Sequence, residues 1–185
     1  MAYNSRTYSS EIPEDFHYQT KVNSVTGSEL IDTATAKTFL RVDTSADDDL
    51  IAKMIVTARV CLENYLSRDI VAKNRTVYIP YLGSRINLPF APVASISSVT
   101  VDGSAATHEI KGLNNEVVEL ATLPASEVKI TYITEGLSGS NFEHAMLQLV
   151  STYYDNRAEF VTGEAVNEIP TSVRMFLAGE KNLFI

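Results

Sequence analysis

The sequence predicts an α+β protein, in which a small antiparallel β-domain is inserted into a mainly helical body with an extended N-terminal arm and a C-terminal tail. Apolar residues recur at intervals of three and four in segments 47–68 and 141–158, the period of amphipathic helices. The intervening residues 74–134 contain short alternating runs and turn signals, which indicate strands. Residues 1–30 lack helical periodicity, and residues 179–185 follow the last predicted helix.

The N-terminal arm is rich in Ser, Thr and Asn and carries Pro13 beside several acidic residues. A segment of this composition is often disordered at the end of an isolated chain. It also has more apolar and aromatic groups than a purely solvating tail requires, which favours an arm that becomes ordered against a partner. Both interpretations stay open. If the arm contacts a neighbouring copy, the candidate contact residues are Tyr8, Ile12, Phe16 and Tyr18.

Two predicted helices follow the arm. The first, over residues 34–41, begins after Thr33, whose hydroxyl can cap free amides ahead of a short run of good helix formers. The second, over residues 47–68, begins in an acidic turn, where carboxylates interact favourably with the positive end of the helix dipole. Ser45 and Asp48 also have the spacing of a capping box.

The second helix is predicted to be amphipathic, with one apolar face that we expect to be buried. The single cysteine, Cys61, belongs to this apolar pattern and should pack as a small buried side chain. A lone cysteine cannot form an intrachain disulfide. The polar residues that fall mostly on the opposite face are Lys53, Arg59, Glu63 and Asn64.

The β-domain, residues 74–134, is predicted from runs in which alternate side chains are apolar. Val77 and Ile79, for example, share one side of the first run. Asp102-Gly103 is a strong signal for a tight turn between two strands. Prolines fall at the ends of the runs, where a missing backbone amide does least harm. We expect an antiparallel sheet of about five or six strands.

Two further helices are predicted after the β-domain. The first, over residues 141–158, has a wide apolar stripe, and Ser140 and Glu143 have capping-box spacing at its start. The second, over residues 170–178, begins with a proline suited to a first turn and should stop at Gly179. The tail then ends in three apolar residues that we expect to seek a groove in this subunit or another: Leu183, Phe184 and Ile185.

The search for catalytic, cofactor-binding and metal-binding residues gives no candidate. The three histidines are isolated and lack metal-ligand spacing, and the carboxylates at residues 47–49 diverge around a helix start. The sequence has no glycine-rich phosphate loop, no G-x-S-x-G and no H-E-x-x-H. We therefore predict that the protein is not an enzyme. A small-ligand enzyme domain is a distant alternative, whose mark would be a deep pocket with convergent polar groups.

Length and composition fit one globular domain, which we place at residues 31–178 between the two terminal extensions. The chain has 185 residues, of which 45% are hydrophobic, enough to bury a core. No apolar run approaches the roughly 20 residues that span a bilayer, so we expect no membrane contact and a protein that is cytosolic when made. The formal charge of −8 argues against an ordinary duplex-binding surface, because lysine and arginine supply much of the affinity for phosphates.

In their order and spacing, the segments resemble the head-tail connector, or adaptor, proteins of long-tailed double-stranded DNA bacteriophages. The resemblance covers roughly residues 30–178. It is carried by AKTFLRVD at 36–43, the acidic start and body of the second helix at 47–70, INLPFAPVASISSVTVDG at 86–103, VKITYITEG at 128–136 and AMLQLVSTYYDNRAEF at 145–160.

The resemblance implies a structural protein of the virion neck, made in the cytoplasm of a bacterial host. Adaptors of this family form a ring, usually of about twelve copies, beneath the portal protein. They extend the DNA channel and join the head to a stopper or tail. A head-closure stopper or a tail-completion protein is the nearest alternative.

The net charge and the C-terminal tail lead to two further expectations, about the DNA channel and about portal binding. Twelve copies at −8 each carry a charge on the order of −96, so carboxylates facing the lumen would repel phosphate and let double-stranded DNA pass without sequence-specific binding. By analogy with family members, the C-terminal segment is expected to bind the portal. The candidate portal-binding residues are Arg174, Phe176, Leu177, Lys181, Leu183, Phe184 and Ile185.

Overall fold

The structure is a computed structural model that describes residues 18–156 and 169–181. Its elements, in chain order, are β1 (Gln19–Val25), α1 (Thr33–Leu40), α2 (Asp48–Leu66), β2 (Lys73–Leu82), β3 (Ile86–Asn87), β4 (Val93–Val101), β5 (Ser104–Ala105), β6 (His108–Lys111), β7 (Val117–Leu120), β8 (Ala125–Thr134), α3 (Ser140–Asp155) and α4 (Thr171–Leu177), followed by a 3₁₀ turn (Ala178–Glu180). The α+β fold class predicted from the sequence is confirmed.

The helical body forms around the apolar stripes of α2 and α3, which the periodicity predicted. Ile51 and Leu62 of α2 and Met146 and Leu149 of α3 are almost completely buried, and α1 and α4 cover the same core. Cys61 is only half-buried, although it was expected in the core. Burial, with a smaller effect from the neighbouring Cys61 thiol, raises the pKa of the Tyr153 hydroxyl.

The predicted capping residues are wrong at the first helix and the second. Asp32, and not Thr33, caps α1: its Oδ1 accepts a hydrogen bond from the Thr35 backbone N–H at 2.7 Å. Hydrogen bonding with the side chain and then the backbone of Thr35 lowers the pKa of Asp32. The predicted capping box of α2 does not form, since the side chain of Asp48 instead contacts Lys37 at 2.6 Å. Ser and Asp are so frequent near these helix starts that spacing alone selected the wrong oxygen.

The other two helix ends also differ from the prediction. Ser140 is the first residue of α3 and follows Gly139, so it cannot serve as a side-chain cap in a box with Glu143. Gly179 does not end the helical conformation after α4, because it lies within the 3₁₀ turn that continues the helix. Tightening of the last turn in this way is a common helix ending.

The β-domain contains two antiparallel sheets where the sequence analysis expected one. A five-stranded sheet has the order β1-β2-β8-β4-β5, and a three-stranded sheet has the order β3-β7-β6. Together they enclose a second core, which includes Val77, Ile79, Val118 and Ile130. Asp102 and Gly103 both have positive φ, 48° and 78°, and join β4 to β5 in the tight turn that the sequence predicted.

Residues 19–25, which the sequence analysis assigned to the arm, form the edge strand β1. This strand pairs antiparallel with β2, from Gln19 opposite Tyr78 to Val25 opposite Lys73. The side-chain amide of Asn23 donates hydrogen bonds to Asn74 and Thr76 of β2, which fasten the strand further. All seven residues of β1 are exposed, so the strand has no buried face and therefore no alternation by which sequence could identify it.

A buried charge network joins the helical body to the β-domain. Its members are Glu29, Arg59, Glu63, Asp69, Lys73 and Arg75. Arg59 donates to both Glu29 and Glu63 of the helical body, and Lys73 of β2 donates to Glu63 and Asp69. The last five members of the network are at most 6% exposed. Arg59 and Glu63 were expected on the polar face of α2, so their burial corrects that prediction.

Asp69 lies at the centre of this network and is 1% exposed. Both of its carboxylate oxygens accept from Arg75, each at 2.6 Å, and one also accepts from the hydroxyl of Thr134 at 2.9 Å. The guanidinium of Arg75 in turn lies 3.7 Å from the ring centre of Phe90. Three acidic and three basic side chains meet in the network, so the charges that leave water are balanced.

Tyr132 of β8 fixes the segment after β3 on the β-domain core. Its side chain is fully buried, and its hydroxyl donates a hydrogen bond to the backbone carbonyl of Pro89 at 2.7 Å. Burial raises the pKa of this hydroxyl above its ordinary value of 10.0, so the neutral, donating form is maintained.

Candidate assembly surface

An exposed aromatic row crosses three helices of the helical body. It consists of Phe39 from α1, His144 from α3 and Phe176 from α4. The ring centres of Phe39 and His144 are 6.3 Å apart, and those of His144 and Phe176 are 6.2 Å apart, with interplanar angles of 81° and 70°. Both arrangements are edge-to-face, the geometry that aromatic pairs favour. Phe39 and Phe176 remain 42% and 50% exposed, so the row presents apolar surface to solvent.

The position of Phe176 follows from the period of α4. Val173 and Leu177 lie four residues apart on one face, and both are buried in the helical core. Met175 and Phe176 therefore point away from the core, and Met175 is 77% exposed. The short helix thus extends the aromatic row with a flexible apolar side chain, a residue type suited to adaptable contacts.

The chain after α4 is fixed on the end of α2. The hydroxyl of Tyr65 donates to the backbone carbonyl of Arg174 at 3.3 Å, and the Lys181 ammonium lies 5.2 Å from the centre of the Tyr65 ring. Arg68 donates to the backbone carbonyl of Glu180 and also contacts its carboxylate. These contacts fix the positions of Glu180 and Lys181, the last residues that the structure describes.

The predicted portal-binding residues are distributed unevenly over this region. Phe176 is part of the aromatic row, and Arg174 and Lys181 contact Tyr65. Leu177 is completely buried, so its assignment to a binding surface is wrong: the four-residue spacing from Val173 places it in the core. Tyr18, a predicted arm residue, is 37% exposed immediately before β1. The other predicted contact residues lie outside the described residues: Tyr8, Ile12, Phe16, Leu183, Phe184 and Ile185.

Phe39 and His144 were missed as members of a surface. They are separated by more than a hundred positions in sequence, and only the packing of α1 against α3 brings their rings together. The sequence signal for this surface was weak: Phe39 is a large apolar residue in a helix too short to bury all of its apolar side chains. His144, which the sequence analysis interpreted as an isolated histidine and not as a metal ligand, also has its Nε2 within 2.9 Å of the Gln148 amide nitrogen.

The described residues hold no group of three or more His, Cys, Asp or Glu side chains that could bind a metal ion. Within the same residues, no helix is long and apolar enough to cross a membrane. The surface of the described residues includes grooves at two places. One, of about 510 Å³, borders the end of α1 at Lys37, Thr38 and Arg41, and another, of about 490 Å³, borders β5.

Comparisons with solved structures find the same fold in chains of gene transfer agent (GTA) particles. The neck of an empty GTA particle, computed with C6 symmetry, contains a chain with a TM-score of 0.71 and 17% identity. The match covers 90% of this chain and 97% of that one. A chain in the virion of the native GTA particle has the same TM-score and coverage at 16% identity.

A third match, in the neck of the native GTA particle computed with C12 symmetry, has a TM-score of 0.58 and 14% identity and covers 88% of this chain and 97% of that one. No curated protein sequence matches the chain. The model of the family described as Phage gp6-like head-tail connector protein matches residues 31–178, most of the chain. The chain therefore belongs to the phage gp6-like head-tail connector family, and it is a structural protein and not an enzyme.

Proposed function

We propose that the protein is an adaptor, which forms a ring beneath the portal in the neck of a phage-like particle, extends the DNA channel and joins the head to a stopper or tail. The observation that carries this proposal is the family match over residues 31–178. It is supported by the likeness of fold to chains in solved GTA necks, which extends over 90% of the sequence.

A ring of twelve copies is the proposed assembly. One of the similar neck structures was computed with C12 symmetry and another with C6 symmetry, which is contained in C12. A head-to-tail ring requires each copy to present two different, complementary surfaces. The alternative, a stopper or tail-completion protein, is favoured by the C6 symmetry of the neck with the higher TM-score.

A symmetric reconstruction of the particle neck with side chains visible tests this proposal. An adaptor should appear as twelve copies in direct contact with the portal. Six copies below an intervening ring would instead identify a stopper, and detection of the protein outside the neck would refute both.

The C-terminal region is the proposed portal-binding surface. Met175 and Phe176 offer exposed apolar area on α4, and the tail that follows Lys181 ends in three apolar residues. Arg174 and Lys181 are the basic residues of this region. Tyr65 fastens α4 and Arg68 fastens the 3₁₀ turn, so residues 174–181 are already ordered before docking, which lowers its entropic cost.

Replacing Leu183, Phe184 and Ile185 together with serine is expected to abolish binding to purified portal protein, because the apolar tail loses the area that it buries. Co-sedimentation with the portal measures binding, and circular dichroism checks the fold. The triple variant leaves Glu180 and Lys181 in contact with α2, so the thermal unfolding midpoint should not change. Asn182→Ser, a polar exchange in the same tail, is the matched control and should bind normally. Unchanged binding by the triple variant would refute the proposed surface.

The N-terminal arm is proposed to contact a neighbouring copy through Tyr8, Ile12, Phe16 and Tyr18. Tyr18 is partly exposed where the chain enters the edge strand β1, so the arm begins at the margin of the β-domain. Seventeen residues can span at most about 60 Å, which is sufficient to reach an adjacent subunit. The neck reconstruction also tests this contact, and an arm packed only on its own subunit would contradict it.

The lumen of the ring is proposed to be acidic. The net charge of −8 per chain makes carboxylates the more abundant charged group, and like charge keeps the phosphates of the genome from adhering to the wall. Double-stranded DNA would then pass without sequence-specific contacts. A lumen lined mainly by lysine and arginine in the same reconstruction would contradict this part of the proposal.

A further inference from the structure

We propose that Leu113, at the tip of the β6–β7 hairpin of one copy, inserts into the groove beside β5 of the next copy, and that this contact links the β-domains around the ring. The inference rests on the proposed ring, and it names the surfaces through which neighbouring copies meet. The partner is a second copy of this chain.

Leu113 is 100% exposed, the highest value among the large apolar side chains that the structure describes. A single exposed leucine on a loose loop would be ordinary. The loop that carries Leu113, however, is held by hydrogen bonds on its far side. The backbone N–H of Val93 donates to the Asn114 carbonyl at 2.9 Å, and that of Leu88 donates to the Glu116 carbonyl at 2.6 Å. The exposed position of Leu113 is therefore built into the fold.

The residue before Leu113 also fits a rigid tip. Gly112 has a φ of +94°, a conformation that favours glycine. A Cβ at this position would lie 2.6 Å from the carboxyl group of Glu116. Glu116 itself accepts a hydrogen bond from the Asn114 backbone N–H at 2.8 Å. The backbone conformation at Gly112 thus favours glycine, and the turn projects Leu113 outward.

The groove that we assign to receive Leu113 has a volume of about 490 Å³ and lies at the other end of the same hairpin. Leu120 and Ala125 form its buried apolar floor. Its rim combines small apolar side chains, among them Ala105 and Ala121, with polar ones, among them Ser104, Thr107 and Thr122. Small residues leave room for a larger apolar group from a partner, and a floor of Leu and Ala provides the contacts that such a group needs.

Leu113 cannot fill the groove of its own subunit. The paired residues of β6 and β7 separate the tip from the groove by about 13 Å of strand, and the pairing of Lys111 with Val117 places the tip at the end opposite Leu120. A projection at one end of a rigid hairpin and a recess at the other generate a head-to-tail contact. Repetition of such a contact by rotation closes a ring.

Cysteine cross-linking tests the contact in assembled rings, formed at high protein concentration or on purified portal protein. In a Cys61→Ser background, the double variant Leu113→Cys/Ala105→Cys should form covalent multimers up to the full ring under mild oxidation. Leu113→Cys/Val56→Cys is the control, because Val56 is a 43% exposed residue on α2, outside the proposed interface. It should give no multimers beyond those of the single variants.

A second measurement does not depend on disulfide geometry. Leu113→Ser should raise the protein concentration needed for ring formation at least tenfold. Its thermal stability should not change, because the Leu113 side chain is fully exposed within its own subunit. Ile110→Ser, on the same hairpin and 47% exposed, is the matched control and should assemble like the wild type.

The outcomes separate this inference from the proposed function. Rings that form normally with Leu113→Ser, and that do not cross-link through residues 105 and 113, overturn the contact and leave the adaptor proposal intact. Cross-linking of position 113 to the portal, and not to a second copy, also overturns it. If the wild-type chain forms no ring under either condition, the adaptor proposal itself fails.

Discussion

Replacing Asp69 with alanine is expected to lower the free energy of unfolding by about 3–5 kcal/mol. The carboxylate accepts hydrogen bonds from Lys73, Arg75 and Thr134 in a site where its side chain is fully buried. Its removal leaves the guanidinium of Arg75 without its charge partner and out of water. Chemical denaturation, followed by circular dichroism, measures the loss.

The matched control for this variant is Asp43→Ala, which removes an exposed carboxylate outside the buried charge network. Its free energy of unfolding should stay within about 0.5 kcal/mol of the wild-type value. Asp69→Asn retains the shape and part of the hydrogen bonding, so its stability should fall between those of the alanine variant and the wild type. Equal stability of Asp69→Ala and Asp43→Ala would show that the network contributes nothing to folding.

Truncation of Tyr132 to alanine is expected to cost about 3–5 kcal/mol, since it leaves a cavity in the β-domain core. Tyr132→Phe keeps the ring and removes only the hydroxyl that donates to the Pro89 carbonyl. That carbonyl would remain buried without this donor, so a loss of about 1–3 kcal/mol is expected. Denaturant titration of the two variants separates the packing contribution of the ring from the contribution of its hydrogen bond.

Tyr81→Phe is the control for the hydroxyl deletion. Tyr81 is 47% exposed on β2, so water can replace whatever bond its hydroxyl makes, and its stability should match that of the wild type. If Tyr132→Phe were as stable as Tyr81→Phe, the hydrogen bond to Pro89 would have no net energetic role.

The long helices could be predicted because burial imposes a period on sequence. The apolar stripes of α2 and α3 could be recognised in the sequence, and the structure buries both of them in the helical core. Helix starts were less predictable, because Asp32, Thr33, Ser45 and Ser140 are all chemically suitable and only the backbone path decides between them. The strand β1 left no signal, since neither of its faces is buried.

The buried charge network illustrates a signal that was present but not recognised. Lys73 and Arg75 have the same parity as Val77 and Ile79 along β2, so all four side chains lie on the buried face of one strand. Two basic residues continuing an apolar alternation indicate that acidic partners are buried nearby. The identity of those partners, Glu63 and Asp69, could not be predicted because it depends on how the α2–β2 connection folds back.

The candidate surface was predicted only in part. Phe176 was named as a portal-binding candidate by analogy with family members, and the structure places it in the exposed aromatic row. Leu177 was misassigned because a seven-residue helix gives too few turns to define its buried side from sequence. The rings of Phe39 and His144 join Phe176 through tertiary packing alone.

Two parts of a protein that meet only through apolar contacts can shift relative to each other, because dispersion contacts have little preference for direction. A contact made of bidentate guanidinium–carboxylate pairs, such as that between Arg75 and Asp69, permits far less rotation. This property would matter for the proposed ring of twelve copies, in which each protomer turns by about 30° relative to the last and small angular errors add up before the ring closes. The same buried ion pairs that stabilise one molecule would thus limit the angular error with which the ring is assembled.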